Sequence, residues 1–253
     1  MASRKAKADF RTLERKAAAR TPRGFLEGLR RAAGDGRAAI ISEIKKASPS
    51  RGLIRGDFHP AALARGFEAA GAAALSVLTN EEFFQGSLQD LEAASSAVRI
   101  PCLRKDFMVD PFQVLEARAS GADAILLIVA AQTDKSLSEL RDEARKTGLD
   151  VLCEVHDRGE MRRAVDLGFD LIGVNSRDLR TFQVRTELFE ELAGSRPANA
   201  VMVAESGIRT AADIARYRAA GYSAFLIGEA LMRETDPSAA LAALLEREYS
   251  AES

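Results

Sequence analysis

Ile40-Ile-Ser-Glu-Ile-Lys-Lys-Ala-Ser-Pro-Ser-Arg-Gly52 opens as an apolar run and closes in Ser48, Pro49, Ser50 and Gly52, residues that favour turns. It reads as one buried strand running into a loop. Side chains alternate across a strand, so Ile41, Glu43 and Lys45 share a face. Two opposite charges on an otherwise apolar face are costly to bury without partners. Either this is an edge strand with a solvated charged face, or the pair projects into a site at the strand's C-terminal end. Whether other strands finish the same way decides between the two.

Working outward, the same unit recurs from residue 38 onward: a helical segment ends in Gly, and an apolar strand follows. It appears as Gly71 before 73–78, Gly121 before 124–129, Gly148 before 151–153, Gly168 before 171–174 and Gly221 before 224–227. Glycine just past a helix end accepts the left-handed conformation that closes the last turn. Near-continuous apolar runs are what a parallel sheet buried on both faces requires. With strands at 40–44, 100–104 and 200–204 the set reaches eight. Helices are expected over 60–70, 87–97, 111–119, 134–147, 158–167, 186–193, 209–219 and 238–248. Eight strands alternating with eight helices predict an α/β fold, the (β/α)8 TIM barrel. A doubly wound open sheet is the rival, but no Gly-x-Gly-x-x-Gly follows the first strand.

Ahead of the barrel, residues 1–20 are basic and Ala-rich, a composition that can imitate a transit peptide. Phe10, Leu13 and Ala17 recur at helical spacing, which favours an accessory helix. A second helix is expected from Pro22 to about Arg31, ended by Gly34-Asp35-Gly36. The domain reading is a single TIM-barrel domain over 1–253, with a helical extension over 1–36 and the barrel over 37–253.

Composition narrows the function. The 253 residues, 47% of them hydrophobic, fit one large barrel without division. A formal net charge of −1 gives no support for a nucleic-acid or membrane surface as partner. Cys102 and Cys153 sit in apolar runs without metal-ligand spacing and read as inert thiols of a cytoplasmic protein. No apolar run reaches the roughly 18 residues of a membrane span.

Barrel sites are built where the strands finish. Glu43 and Lys45 close the first strand, Lys105 the third and Glu154 the fifth. Asn175 and Arg177 close the sixth, and Glu205 the seventh. All lie in phase with the inward residues of their strands. Three carboxylates facing three cations let each charge stay ionised. A solvated rim could explain any one of them, but not so many in phase. In the loops after strands 7 and 8, Ser206-Gly207 is expected to open a helix at Arg209, and Gly228-Glu229 opens a short turn. Glycine there lets backbone N–H groups approach a phosphate, with a hydroxyl from Ser48. In the loop after the first strand, from Ala47 to about Phe58, Arg51 and Arg55 are expected to meet anionic groups.

These motifs resemble the indole-3-glycerol-phosphate synthase family. The likeness runs in order through Ser42-Glu-Ile-Lys-Lys-Ala-Ser-Pro-Ser-Arg-Gly52, Ser76-Val-Leu-Thr-Asn-Glu-Glu-Phe-Phe-Gln-Gly-Ser87 and Leu103-Arg-Lys-Asp-Phe107. It continues through Glu154-Val-His156, Ile172-Gly-Val-Asn-Ser-Arg-Asp-Leu179, Glu205-Ser-Gly-Ile208 and Phe225-Leu-Ile-Gly-Glu-Ala-Leu-Met232. Asn80 and Ser176 stand where Glu and Asn are frequent in the family.

The resemblance implies a carboxy-lyase of tryptophan biosynthesis. Such an enzyme closes the indole ring of 1-(2-carboxyphenylamino)-1-deoxyribulose 5-phosphate with loss of CO2 and water. It implies Glu43, Lys45, Lys105, Glu154 and Asn175 as catalytic residues, with Lys105 or Lys45 as acid and Glu154 serving dehydration. Substrate contacts fall to Ser48, Leu78, Phe84, Phe107, Leu126, Arg177 and Glu205, and phosphate contacts to Ser48, Ser206, Gly207, Gly228 and Glu229. No metal or organic cofactor is expected. The partner is a small-molecule phosphosugar, with a monomer expected and contacts to other tryptophan-pathway enzymes conceivable. Another phosphosugar barrel enzyme and a non-catalytic phosphate-binding barrel stay as alternatives. The first would bring different chemistry, and the second should have lost one of the acid–base residues.

Overall fold

A computed structural model describes residues 2–34 and 37–251. Eight parallel strands close into a barrel: β1 (Ala39–Ile44), β2 (Ala74–Leu78), β3 (Cys102–Lys105), β4 (Ala124–Ile128), β5 (Asp150–Val155), β6 (Leu171–Asn175), β7 (Val201–Glu205) and β8 (Ala224–Ile227). Each pairs with its neighbours in sequence, and β8 returns to β1 with Leu226 opposite Ile41. This is the (β/α)8 barrel that the repeated unit predicts.

Two apolar layers follow from the two faces of the strands. Outward residues such as Ile40, Leu75, Leu127 and Ile172 are buried under the surrounding helices. Inward residues Ile41, Leu103, Leu126, Leu152, Val203 and Leu226 fill the barrel. The helices begin on polar caps: Ser87, Thr133 and Asp157 each accept a hydrogen bond from a first-turn backbone N–H. Such caps satisfy donors that the helix itself leaves orphaned.

The barrel floor is closed by the helix Phe25–Gly34, whose Phe25, Leu26 and Leu29 join the inner layer. Burying each of these side chains contributes about 1.5–3 kcal/mol. Leu26 N donates to Asp150 Oδ2 at 2.9 Å, at the first residue of β5. The helix starts three residues later than Pro22, because Arg23 is held by Asp123 at 2.8 Å and Gly24 turns the chain at φ +73°. Of the expected stop, Asp35 and Gly36 lie outside the described residues. The basic start forms two helices, Ala2–Ala6 and Phe10–Ala18. Phe10 packs on Phe112 with ring centroids 5.4 Å apart, and Arg4 and Lys5 reach Glu116 and Asp110, so this segment clasps the helix Pro111–Ala119.

Boundaries differ from the expected ones at several points. β3 starts at Cys102 because Pro101 has no N–H for the ladder. β5 is longer than 151–153. The helix expected from Arg209 begins at Ala211, where Thr210 and Asp213 form a reciprocal cap. The one expected over 186–193 is Leu188–Ala193. Glu81–Phe84 and Glu229–Met232 are short helices, and Ala47–Ser48 pairs with Gly52–Leu53 in a small hairpin. Cys102 and Cys153 are buried free thiols, and burial pushes the Cys102 thiol up to about 12.

Candidate active site

The C-terminal ends of the strands surround a cavity of about 820 Å³. Every residue singled out from the sequence lines it. Glu43, Lys45, Lys105, Glu154, Asn175 and Glu205 form its base, with Leu78 and Leu126 beside them. Ser48, Phe84, Phe107, Arg177, Ser206, Gly207, Gly228 and Glu229 line the remainder.

The base holds two lysine–carboxylate centres. Lys45 Nζ donates to Glu43 Oε1, both from the end of β1. Lys105 Nζ lies 2.9 Å from Glu154 Oε2 and 3.0 Å from Glu205 Oε2, across the mouth from β3 to β5 and β7. Burial pushes the Lys105 ammonium down, but Glu154, Glu205 and Glu43 outweigh it and hold its pKa above the ordinary lysine value. Burial likewise works against Glu154, yet Lys105 and then His156 keep it well below the usual carboxylate range. Glu205 goes the other way: burial, reinforced by the Glu154 charge, pushes it up to about 8 against the pull of Lys105. The two buried carboxyls are thus pushed in opposite directions, Glu154 down and Glu205 up.

Glycine makes room for this. A Cβ added to Gly173 on β6 falls on Glu205 Oε1, and one added to Gly228 falls on Glu43 Oε1. At Gly228 the glycine thus makes room for the Glu43 carboxylate.

Asn175 is held by its neighbours. Its Oδ1 accepts from Ser206 Oγ at 2.8 Å and from Arg177 N at 3.1 Å. Ser206 itself sits at φ +69°, a conformation that costs a non-glycine residue energy. Its carbonyl accepts from Ser176 Oγ at 3.0 Å, so the position where Asn is frequent in the resembled family still ties β6 to the β7 loop.

One wall is aromatic: Phe107 packs against Phe83 and Phe84, with centroids 5.9 and 6.5 Å away. Asp106 fixes it, accepting from Asn80 Nδ2 at 3.2 Å and Thr79 Oγ1 at 2.9 Å. Asn80 also caps the Glu81–Phe84 helix. Behind them Arg104, fully buried, bonds Asp106 at 2.9 Å and lies 3.5 Å from Glu116. Buried charges need such partners.

Three expectations change. Arg177 does not face the three base carboxylates; it lies 3.6 Å from Glu229, as part of a rim cluster with Arg51 (3.0 Å) and Arg233 (3.6 Å). The base carboxylates are not equivalent: Lys105 and His156 hold Glu154 down, whereas burial pushes Glu205 up. Arg55, expected to meet an anion, donates instead to the carbonyls of Met232, Glu234 and Thr235, tying the loop after β1 to the end of β8. The sequence did not show that Arg51 and Arg233 converge on Glu229, which depends on loops, or that His156 stands behind Glu154. Among the described residues no group of three or more His, Cys, Asp or Glu is disposed to hold a metal ion.

The family described as indole-3-glycerol phosphate synthase matches residues 1–244 of the chain. A protein of that name from Koribacter versatilis (strain Ellin345) is 61% identical over 245 residues, covering 97% of this chain and 94% of its own. Another from Azospirillum brasilense is 53% identical over 222 residues, covering 88% and 85%. Among solved structures, thiamine phosphate pyrophosphorylase from Pyrococcus furiosus superposes with a TM-score of 0.63 at 15% identity, covering 85% of this chain and 98% of that one. The N-acetylmannosamine-6-phosphate 2-epimerase from Clostridium perfringens gives 0.60 at 16%, covering 76% and 86%. At such identities the likeness shows the barrel alone.

Proposed function

This chain belongs to the indole-3-glycerol phosphate synthase family, and we propose that its two lysine–carboxylate centres divide that family's reaction between them. The activity is a decarboxylating ring closure in tryptophan biosynthesis, on a small-molecule phosphosugar. The observation that carries the division is Lys105 bridging Glu154 and Glu205 at 2.9 and 3.0 Å.

In the first half, the ring carbon bearing the carboxylate attacks the C2 carbonyl of the sugar chain. Lys105 donates a proton to that oxygen as the C–C bond forms, and CO2 leaves as the ring regains aromaticity. Its charge, sustained by the carboxylates, keeps it protonated until the carbonyl oxygen gathers negative charge in ring closure. Lys45, seated by Glu43, holds the substrate carboxylate until then. In the second half the Lys45 ammonium, freed when CO2 departs, protonates the new hydroxyl so that it leaves as water, and ionised Glu154 takes the remaining ring proton. Protonated Glu205 donates a hydrogen bond within the base, and Asn175 and Arg177 orient the chain. Phe84, Phe107, Leu78 and Leu126 receive the aromatic ring, excluding water from the charges. Ser48, Ser206 and the backbone at Gly207, Gly228 and Glu229 receive the phosphate, with Arg51, Arg177 and Arg233 beside them. These roles call on no metal or organic cofactor.

We take the extension over 1–36 and the barrel over 37–253 as one domain of a cytoplasmic monomer, with no nucleic-acid or membrane partner. Among the described residues no helix is long and apolar enough to cross a membrane. Contacts with other tryptophan-pathway enzymes are compatible with the open rim. An indole fluorescence assay with the carboxyphenylamino substrate tests the reading. Signal appearing with one equivalent of CO2 supports it, and turnover of the substrate without an indole product contradicts it.

A further inference from the structure

His156, which does not line the cavity, stands behind Glu154 between two carboxylates. Its Nε2 is 3.4 Å from Glu154 Oε1 and its Nδ1 is 3.1 Å from Glu160 Oε2. Glu160, in the first turn of the helix Arg158–Asp166, also accepts from the His156 backbone N at 2.8 Å. One carboxylate thus seats both the ring and its backbone. The division of labour above assigns His156 no task.

We propose that His156 and Glu160 form a positioning pair that makes Glu154, and not Glu205, the ionised partner of Lys105. The inference rests on the reading of Glu154 as the base. Seen from Lys105 the two carboxylates are nearly equivalent, 2.9 and 3.0 Å away and each with a side chain 2% exposed. Buried like charges this close do not ionise independently, so something other than Lys105 must choose between them. Of the two carboxylates only Glu154 has His156 within ion-pair distance, at 3.4 Å, while His156 Nε2 and Glu205 Oε1 each lack a hydrogen-bond partner. A positive imidazolium on that side lowers the free energy of the Glu154 anion alone. Glu160 supplies the second negative charge that holds the imidazolium in place. Burial pushes the ring toward neutrality, and Glu154 and Glu160 reverse this and raise it to about 10. The remaining charges nearby act through these. Lys105 on β3 and Glu205 on β7 meet Glu154 from the cavity side. Arg163, on the helix of Glu160, is turned to Asp134 at 2.7 Å and to the carbonyls of Val129 and Gln132.

A buried histidine that only fills space would leave the pH dependence of catalysis alone, and the experiment uses that difference. The chain has two histidines, so imidazole NMR on the full-length protein resolves His156 against His59, whose side chain is 75% exposed. In the wild type His156 remains doubly protonated through pH 8, and in Glu160→Gln its midpoint falls by at least about one pH unit, as losing an adjacent opposite charge requires. Glu160→Gln keeps KM within about twofold and lowers kcat by less than the roughly 10²-fold of deleting a base. Its kcat relative to wild type falls further as pH rises from 7 to 9 and the imidazolium discharges. His156→Gln has the opposite trend, losing most at low pH as Glu154 takes up a proton. Neutral His156 in the wild type at pH 7 overturns the proposal. So does a kcat ratio that is flat with pH and equal to the loss of folded protein. If the wild type forms no indole product, the reaction reading fails, while the NMR titration still judges the pair.

Discussion

Glu205 Oε1 occupies the space into which a side chain at Gly173 would grow, with Leu152 Cδ1 3.3 Å from the same point. The neighbouring strands β6 and β7 therefore fit together only when one inward position carries no side chain. Gly173→Ala displaces Glu205 from Lys105. Overpacking of this kind costs about 1–3 kcal/mol, read as a lower denaturation midpoint with a fall in kcat. Adding Glu205→Ala removes the clash and restores much of the stability but not the activity. A double variant no more stable than Gly173→Ala contradicts the contact.

The raised Glu205 carboxyl gives the fold a pH dependence of definite sign. Unfolded, it ionises near the ordinary value of about 4.3; folded, it keeps its proton to about 8. Between those values the folded state binds more protons, so stability falls as pH rises. His156 adds to the trend, since its pKa rises on folding to about 10 and its contribution, present below about 6.5, is lost as pH climbs. Urea denaturation at pH 5.5 and 8.5 checks this: the wild type is less stable at 8.5, and Glu205→Gln narrows the gap. An equal or wider gap in the variant contradicts the assignment.

Arg55 holds the loop after β1 against the end of β8 through three carbonyls. Arg55→Ala releases it, because each bond to a charged group is worth about 1.5–3 kcal/mol and a shorter side chain replaces none of them. Limited proteolysis then cuts within 47–58 faster, and KM rises more than kcat falls, since the loop covers the end of the mouth proposed to receive the phosphate. Unchanged cleavage would mean that the Arg51–Glu229 contact alone holds the loop.

The base of the site was legible because a strand has period two. Once Leu103, Leu152 and Val203 are taken as inward, Lys105, Glu154 and Glu205 follow without knowledge of any contact. Their unequal titration was not legible, since it depends on which carboxylate also meets His156. That meeting requires the chain to leave β5, turn, and bring Glu160 back in the next helix. The rim cluster was hidden for the same reason: Arg51 and Arg233 come from different loops and converge on Glu229. The floor helix was visible as a helix, but its role was not. Phe25, Leu26 and Leu29 read as an ordinary apolar stripe, and only the closed barrel shows the opening they fill.

Glu154→Gln separates the halves of the reaction. It keeps volume and hydrogen bonding but removes the base, so ring closure and CO2 release proceed while dehydration slows by about 10²–10⁴-fold. In single turnover, CO2 appears ahead of indole fluorescence. If both fall together by one factor, Glu154 acts in ring closure or only positions Lys105.

The central claim is that Lys105, bridged by Glu154 and Glu205, protonates the carbonyl at ring closure. Single-turnover release of CO2 by Lys105→Met, set beside Lys45→Met, tests it most directly. Loss of a positioned acid costs about 10²–10⁴-fold, so Lys105→Met should lose CO2 release by that factor while binding of a product analogue stays within a few-fold. Lys45→Met should weaken binding instead and retain more of the release rate at saturation. CO2 release by Lys105→Met within a few-fold of wild type, with the large loss in Lys45→Met, contradicts the account and moves the acid to β1.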